Sequence, residues 1–343
     1  MNKKVLVFLA VASLLAGACA KSQTSATGEE AREYIQLWMD KYHPGISANS
    51  DGLYILSETE GTGEEWNNQK AYVLVHSTIY SLDGTISSTT DSLLYKQLGT
   101  FVPGNYYGPR YQTVGSGYSY AGMDALLKGM KIGGRRKAVI PAWMLTTSRY
   151  NTQAEYIKNC TLTSHLIYEI TLEGQTDDPE KDAADFLANY VHQNYGYDIQ
   201  SVSYITDEEP DGTFWFISDI SGFNEDDKLS ETASIEINYT GKLAKNGTIF
   251  DTTLSKVAKD NRIYDNTRSY VPLSATMASS YSEITVDQSS SYINGFKGGL
   301  HLMHWKGQKA VVLFTSKHGY SSSGSGNAIP GYAPLIFEIE ILK

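Results

Sequence analysis

The chain has 343 residues, with 28 Lys and Arg against 38 Asp and Glu, a formal net charge of −10, and 41% apolar residues. Its length exceeds what one core usually carries, so two folded domains are expected and a disordered chain is excluded. An acidic chain without basic clusters argues against nucleic acid or an anionic lipid surface as partner.

In chain order, Lys3 and Lys4 precede an apolar run from Val5 to Leu15, and Ala16-Gly17-Ala18 then lead to Cys19. That run is too short to span a bilayer, which needs about 20 apolar residues, so residues 1–18 are expected to be a cleavable secretory signal. Small residues ending on a cysteine resemble the lipobox of bacterial lipoproteins. The resemblance implies lipidation at Cys19, contact with a membrane through the lipid anchor, and a place in the cell envelope of a Gram-negative bacterium. Ordinary signal cleavage beside an incidental cysteine is the other reading. Residues 19–28 would form the tether. Lipidation leaves Cys160 alone, with no intrachain disulfide, as a small buried residue in or near the final strand of the first copy described next.

The mature region contains one plan twice. Val75-His76-Ser77-Thr78 leads to Asp83-Gly84-Thr85-Ile86-Ser87-Ser88, and Asn238-Tyr239-Thr240-Gly241 leads to Asn246-Gly247-Thr248-Ile249-Phe250-Asp251, at an offset of 162 to 163. Gly122-Met123 matches Gly295-Phe296 at an offset of 173, and both copies close on alternating runs, Leu166 to Leu172 and Leu335 to Ile341. A duplication keeps its fold and can lose function in one copy. The boundary falls at Gln175–Glu180, giving units of 29–175 and 176–343, which are expected to fold independently.

Each copy opens with an amphipathic helix: Tyr34, Ile35, Trp38, Met39 and Tyr42 in the first, Phe186, Leu187, Tyr190 and Val191 in the second. His43-Pro44-Gly45 and Tyr195-Gly196 end these helices. A strand follows in each (53–57 and 213–218), then short alternating strands and one short helix (123–129 and 296–303) before the last pair of strands. The fold class is therefore α+β: two tandem domains, each a curled antiparallel sheet packed on one short helix and preceded by an amphipathic helix.

Copy two strings together Tyr239-Thr240-Gly241, Gly247-Thr248-Ile249-Phe250-Asp251, Tyr292-Ile293-Asn294-Gly295-Phe296, Tyr320, Ile329-Pro330 and Leu335-Ile336-Phe337-Glu338. In that order they resemble the FKBP-type peptidyl-prolyl isomerases. The resemblance covers about residue 230 to the C-terminus. Copy one resembles the family over about 52–173, best at Gly129-Met130-Lys131-Ile132-Gly133 and Ile140-Pro141. What it implies is a proline-binding bowl of Tyr239, Phe250, Asp251, Ile293, Phe296, Tyr320, Ile329 and Phe337, with Phe296 as the floor. The Ile293 N–H and the Tyr320 hydroxyl would bind substrate backbone, and Asp251 would orient Tyr239. Phe250, Ile293 and Phe337 taken alone also fit an ordinary core, whereas Asp251 after an apolar pair requires a polar partner.

The implied activity is prolyl cis-trans isomerisation by copy two, with no cofactor, acting on proline-containing segments of unfolded or secreted proteins. A non-catalytic binding lipoprotein built on the same fold is the alternative. Residues 252–291 form an insert beyond compact family members that would lengthen, wall or block the groove. In copy one Ser77, Ser87, Ser88 and Met123 stand where the bowl needs aromatic and acidic groups, so its bowl is expected to be absent. His301 and His304 lack a third ligand and Ser322-Ser323-Gly324-Ser325-Gly326 lacks a lysine, so neither a metal site nor a phosphate loop is expected.

Overall fold

The computed structural model describes residues 27–205 and 208–342. The signal, Cys19 and most of the expected tether lie outside the described residues. The chain is already helical at Thr27, so the last two tether residues belong to the first helix.

Helix α1 (Thr27–Tyr42) buries Ala31, Ile35 and Met39, spaced by four residues on one face. Tyr34 and Tyr42 of the expected stripe remain exposed. Strands β1 (Tyr54–Thr59), β2 (Tyr72–Ser81), β3 (Ile86–Thr89), β4 (Arg110–Thr113), β5 (Arg135–Ile140) and β6 (Leu166–Thr176) form an antiparallel sheet ordered β1-β5-β6-β2-β3, with β4 on the other half of β2. Helix α2 (Ser92–Gln97) lies between β3 and β4, and α3 (Ala121–Leu127) presses Met123, Leu126 and Leu127 into the core. Helix α4 (Gln153–Lys158) begins with a complete Thr152/Glu155 capping box.

Helix α5 (Pro179–Tyr195) opens the second half. The Asp178 carboxylate accepts from the Glu180 and Lys181 N–H groups at 3.0 Å, and proline occupies the first turn, where a missing N–H costs nothing. Its Leu187 and Val191 cover Trp215, Leu313 and Ile336. Strands β7 (Phe214–Ile217), β8 (Ser234–Leu243), β9 (Ile249–Thr252), β10 (Leu273–Thr276), β11 (Thr285–Val286), β12 (Lys309–Phe314) and β13 (Leu335–Ile341) are ordered β11-β10-β8-β13-β12-β7, with β9 on the other half of β8. Helices α6 (Ser255–Asp260) and α7 (Asn294–His301) complete the unit. Replacing β1, β5, β6, β2, β3 and β4 by β7, β12, β13, β8, β9 and β10 turns one sheet into the other. The fold is therefore two tandem sheets of one topology, each with its own apolar cluster.

Several expectations need correction. The short core helices begin two residues earlier than 123 and 296, and each half carries further short helices beside them. Cys160 is half-buried after α4, its thiol 3.2 Å from the Leu162 carbonyl oxygen, six residues before β6. The segment 252–291 is only in small part peculiar to copy two. The ranges of α2 and α6 differ by 163, as do those of β4 and β10. Phe101 stacks on Tyr107 and Tyr264 on Tyr270, each at 4.9 Å. Lys96 and Lys259 cap these pairs at 4.9 and 4.7 Å. The offset rises from 163 at β4/β10 to 173 at α3/α7, so the real excess is ten residues around β11.

Candidate functional site

The β8–β9 hairpin sets two walls of a cavity in the C-terminal domain. On an unbulged strand consecutive side chains point to opposite faces. Here the register shifts between Gly241 and Lys242, and the bulge brings the adjacent Phe250 and Asp251 to one hollow. Phe250 approaches Phe337 of β13 at 5.7 Å and 76°. Gly241 is demanded by that pair, since a Cβ there would lie 2.7 Å from Phe250 Cζ and 2.8 Å from Phe337 Cε1.

Phe296, in the first turn of α7, forms the floor and is 1% exposed. Tyr239 meets it edge-to-face at 5.2 Å and 70°, and Phe337 does so at 5.2 Å and 67°. These are favoured quadrupole arrangements, worth about 0.5–1.5 kcal/mol each beyond area burial. Together with Ser289, Ser291, Tyr292, Ile293 and Tyr320 they enclose a cavity of ≈ 260 Å³. Larger hollows on the N-terminal domain differ in lining: one of ≈ 430 Å³ is mainly polar, with His76, Thr78 and Glu169, and one of ≈ 500 Å³ mixes Asp51, Asn68 and Asp124 with Trp66, Trp143 and Met144.

The polar side chains of the cavity are the Asp251 carboxylate and the hydroxyls of Tyr239, Ser289, Ser291, Tyr292 and Tyr320. The Tyr239 hydroxyl donates to Asp251 Oδ2, while Asp251 Oδ1 accepts from the Thr252 N–H at 2.9 Å and from the Arg268 guanidinium. Burial, and then the Asp251 charge, push the Tyr239 phenol far above its ordinary pKa. The same two causes raise Tyr320. Both hydroxyls therefore keep their protons as donors. Among the described residues, no acceptor takes the Tyr320 hydroxyl or the Ile293 N–H. Ile293 caps α7 in extended geometry, φ −60° and ψ 147°. Ile293 and Tyr320 line the hollow together with the Phe250, Phe296 and Phe337 rings.

The structure thus brings together Tyr239, Phe250, Asp251, Ile293, Phe296, Tyr320 and Phe337. Ile329 departs from expectation. It is 4% exposed and packs into the core, its backbone bridged to Ser325, without lining the cavity. The insert does not block the hollow: Ser289 and Ser291 form part of its rim. Sequence reasoning missed Tyr292, Arg268 and those serines. Tyr292 stood inside a quoted motif, and the partner required by Asp251 was the one signal for Arg268. The pair His301 and His304 gains no third ligand, and no cluster able to hold a metal occurs among the described residues.

Residues 225–342 match the profile of the family described as FKBP-type peptidyl-prolyl cis-trans isomerase. The C-terminal domain belongs to that family. Over 123 residues, 36% of this chain, the sequence is 28% identical to a probable FKBP-type peptidyl-prolyl cis-trans isomerase of Haemophilus influenzae. The chain spans 40% of the length of that relative. Among solved structures, a peptidyl-prolyl cis-trans isomerase from Pseudomonas syringae pv. tomato is 21% identical, covering 48% of this chain and 92% of that one with a TM-score of 0.31. The three FKBP domains of wheat FKBP73 are 16% identical, covering 87% of this chain and 98% of that one with a TM-score of 0.27. The cavity of the FKBP-type domain is the hollow built on Phe296, and the N-terminal domain repeats the sheet order around a different interior.

Proposed function

We propose that the FKBP-type domain is a peptidyl-prolyl cis-trans isomerase, and that the chain is a lipid-anchored envelope protein acting on proline-containing segments of unfolded or secreted proteins. The observation that carries the first part is the aromatic cavity in which, among the described residues, the Tyr320 hydroxyl and the Ile293 N–H have no protein acceptor. Rotation about an Xaa–Pro amide meets a barrier of about 18–20 kcal/mol because it destroys amide resonance. The twisted amide is less polar than the planar one, so a dry site that strips water from the amide favours it over the solvated ground state. Phe296 underlies the prolyl ring, with Tyr239, Phe250 and Phe337 around it. Ile293 and Tyr320 hold the flanking backbone, so binding energy is spent on orientation without a nucleophile. Asp251 fixes the Tyr239 wall.

The supporting test is a protease-coupled assay of Xaa-Pro peptides with the mature chain. Acceleration over the uncatalysed rate is expected, together with inhibition by a proline-mimicking macrolide. Macrolide binding without acceleration would leave a binding role, and neither would remove the reading altogether. The anchor rests on the small residues meeting Cys19 after the apolar run. Cys19→Ala should move the protein from the membrane fraction to the soluble one, and unchanged retention would overturn the lipoprotein assignment.

A further inference from the structure

The cavity wall that carries Tyr320 belongs to a flap, residues 320–332, between β12 and β13. Its neck is closed by two non-glycine residues in the left-handed region, Ser321 at φ 53° and Tyr332 at φ 60°, with the Tyr332 N–H donating to the Ser321 carbonyl at 2.9 Å. Side chains with a Cβ adopt that region only when their surroundings impose it. The surroundings here include the other domain. The Tyr332 hydroxyl donates to the Tyr72 hydroxyl at 3.2 Å, and its ring stands edge-on to Tyr72 at 5.6 Å and to Tyr111 at 5.8 Å.

A second hold lies on the far side of the flap. The Tyr106 N–H of the N-terminal domain donates to the Asn327 carbonyl at 2.8 Å, and the Tyr106 ring packs against the C-terminal core. That ring is set by its own hydroxyl, which donates to the Pro109 carbonyl at 2.9 Å. Two residues before it, Gly104, at φ 85°, abuts the second domain: a Cβ there would lie 2.8 Å from Ile263 Cγ2. By the offset of 163, Tyr106 matches Ser269 and Gly104 matches Thr267. These contacts are therefore not a by-product of the repeat. They belong to the copy that lacks the aromatic bowl.

We propose that the N-terminal domain is a brace for the proline pocket, and that Tyr106, Tyr72 and Tyr111 are positioning residues holding the flap, and with it Tyr320, closed over the cavity. The proposal rests on the prolyl-isomerase reading for its effect on catalysis. An unbraced flap must be ordered each time substrate binds, and that entropic cost weakens binding without altering the complex once closed. Loosening the brace therefore raises KM and leaves kcat nearly unchanged. A merely damaged fold would instead lower the active fraction, reducing apparent kcat at constant KM.

The test uses the full chain with Tyr72→Ala and Tyr106→Ala together, and separately Tyr332→Phe, which removes only one hydroxyl. Isomerisation kinetics give kcat and KM, and amide hydrogen exchange reads Gly324, Ile329 and Tyr332. In the double variant KM should rise about five- to tenfold, with kcat within about twofold of wild type. Flap amides should exchange at least about tenfold faster, while those of β8 and β13 stay protected. Tyr332→Phe should speed flap exchange by about two- to threefold, and it decides the matter if the double variant fails to fold. Unchanged flap exchange, or a fall in kcat alone with β8 exposed as well, overturns the brace. If the wild type does not isomerise, the enzyme reading fails by itself, and flap exchange still decides the brace.

Discussion

Two hairpins of this chain share a register residue by residue. Thr78 faces Thr89 as Thr240 faces Thr252, with buried hydroxyl pairs at 2.8 and 2.9 Å. The Ser77 N–H reaches the Thr90 hydroxyl at 3.0 Å, as the Tyr239 N–H reaches Thr253. Each hairpin bulges one step further on, after Ile79 and after Gly241. On this common frame, Gly241 with Phe250 in one domain becomes Ile79 with Ser87 in the other. A branched side chain stands where the C-terminal domain leaves room for a ring, and the ring has become a hydroxymethyl. Tyr168 takes the place of Phe337, buried enough for its phenol pKa to be pushed up to about 12, and Met123 takes the place of the Phe296 floor. Pocket and filled core are thus coordinated alternatives: one absent Cβ decides whether an aromatic wall fits.

The strongest way to break this comparison is Gly241→Ile, which installs the Ile79 solution without its compensating Ser87. The new side chain must enter the space of the Phe250 and Phe337 rings. Overpacking of that kind costs about 1–3 kcal/mol of stability. The cavity should close, with kcat/KM falling by at least about a hundredfold, or about 2.7 kcal/mol of transition-state stabilisation. Peptide kinetics and thermal unfolding measure the two effects. Activity within about threefold of wild type would show that the Gly241/Ile79 exchange does not control the pocket.

Next in size is Phe250→Ser with Asp251→Ser, which writes the N-terminal hairpin into the C-terminal one. The fold should survive, because Ser87 and Ser88 occupy the same bulge in the same architecture. Isomerisation should drop by at least about tenfold, or about 1.4 kcal/mol. The reciprocal Ser87→Phe with Ser88→Asp should create no activity, because Ile79 already fills the space a ring at position 87 requires. Appearance of activity there would show that the bowl needs fewer parts than the comparison assigns to it.

Much of this frame was legible in the chain itself. Offsets of 163 and 173 give the duplicated sheets, and the motif order gives seven of the eight expected bowl residues as neighbours. Ile329 escaped because a flap can turn its aliphatic residue inward behind the wall, and local sequence does not specify which way. The shared nature of α2/β4 and α6/β10 was visible in the spacing of Lys96, Phe101 and Tyr107 against Lys259, Tyr264 and Tyr270. It was obscured because the two stretches share so few other residues. The Gly241–Ile79 exchange and the contact of Tyr106 with Asn327 were not legible. Both depend on approaches between segments far apart in sequence, and no periodicity records them.

Arg268 offers the smallest and sharpest refinement. It pairs with Asp251 at the cavity rim, and its counterpart at the offset of 163 is Asn105, in the domain where Ser88 stands for Asp251. Charge on the connection therefore appears only where the hairpin carries a carboxylate. Asp251 retains the Tyr239 hydroxyl and the Thr252 N–H without it, so the wall should stand in Arg268→Ala. The two side chains are 40% and 31% exposed, which places the pair with screened surface bridges worth less than about 1 kcal/mol. The expected loss in kcat/KM is about two- to threefold at low salt, vanishing as ionic strength approaches about 1 M, where the screening length is about 3 Å. Thermal stability should change by no more than a few tenths of a kcal/mol. A tenfold loss that persists at high salt would mean that the guanidinium contacts the substrate itself, and the rim of the pocket would then extend into the segment that both domains share.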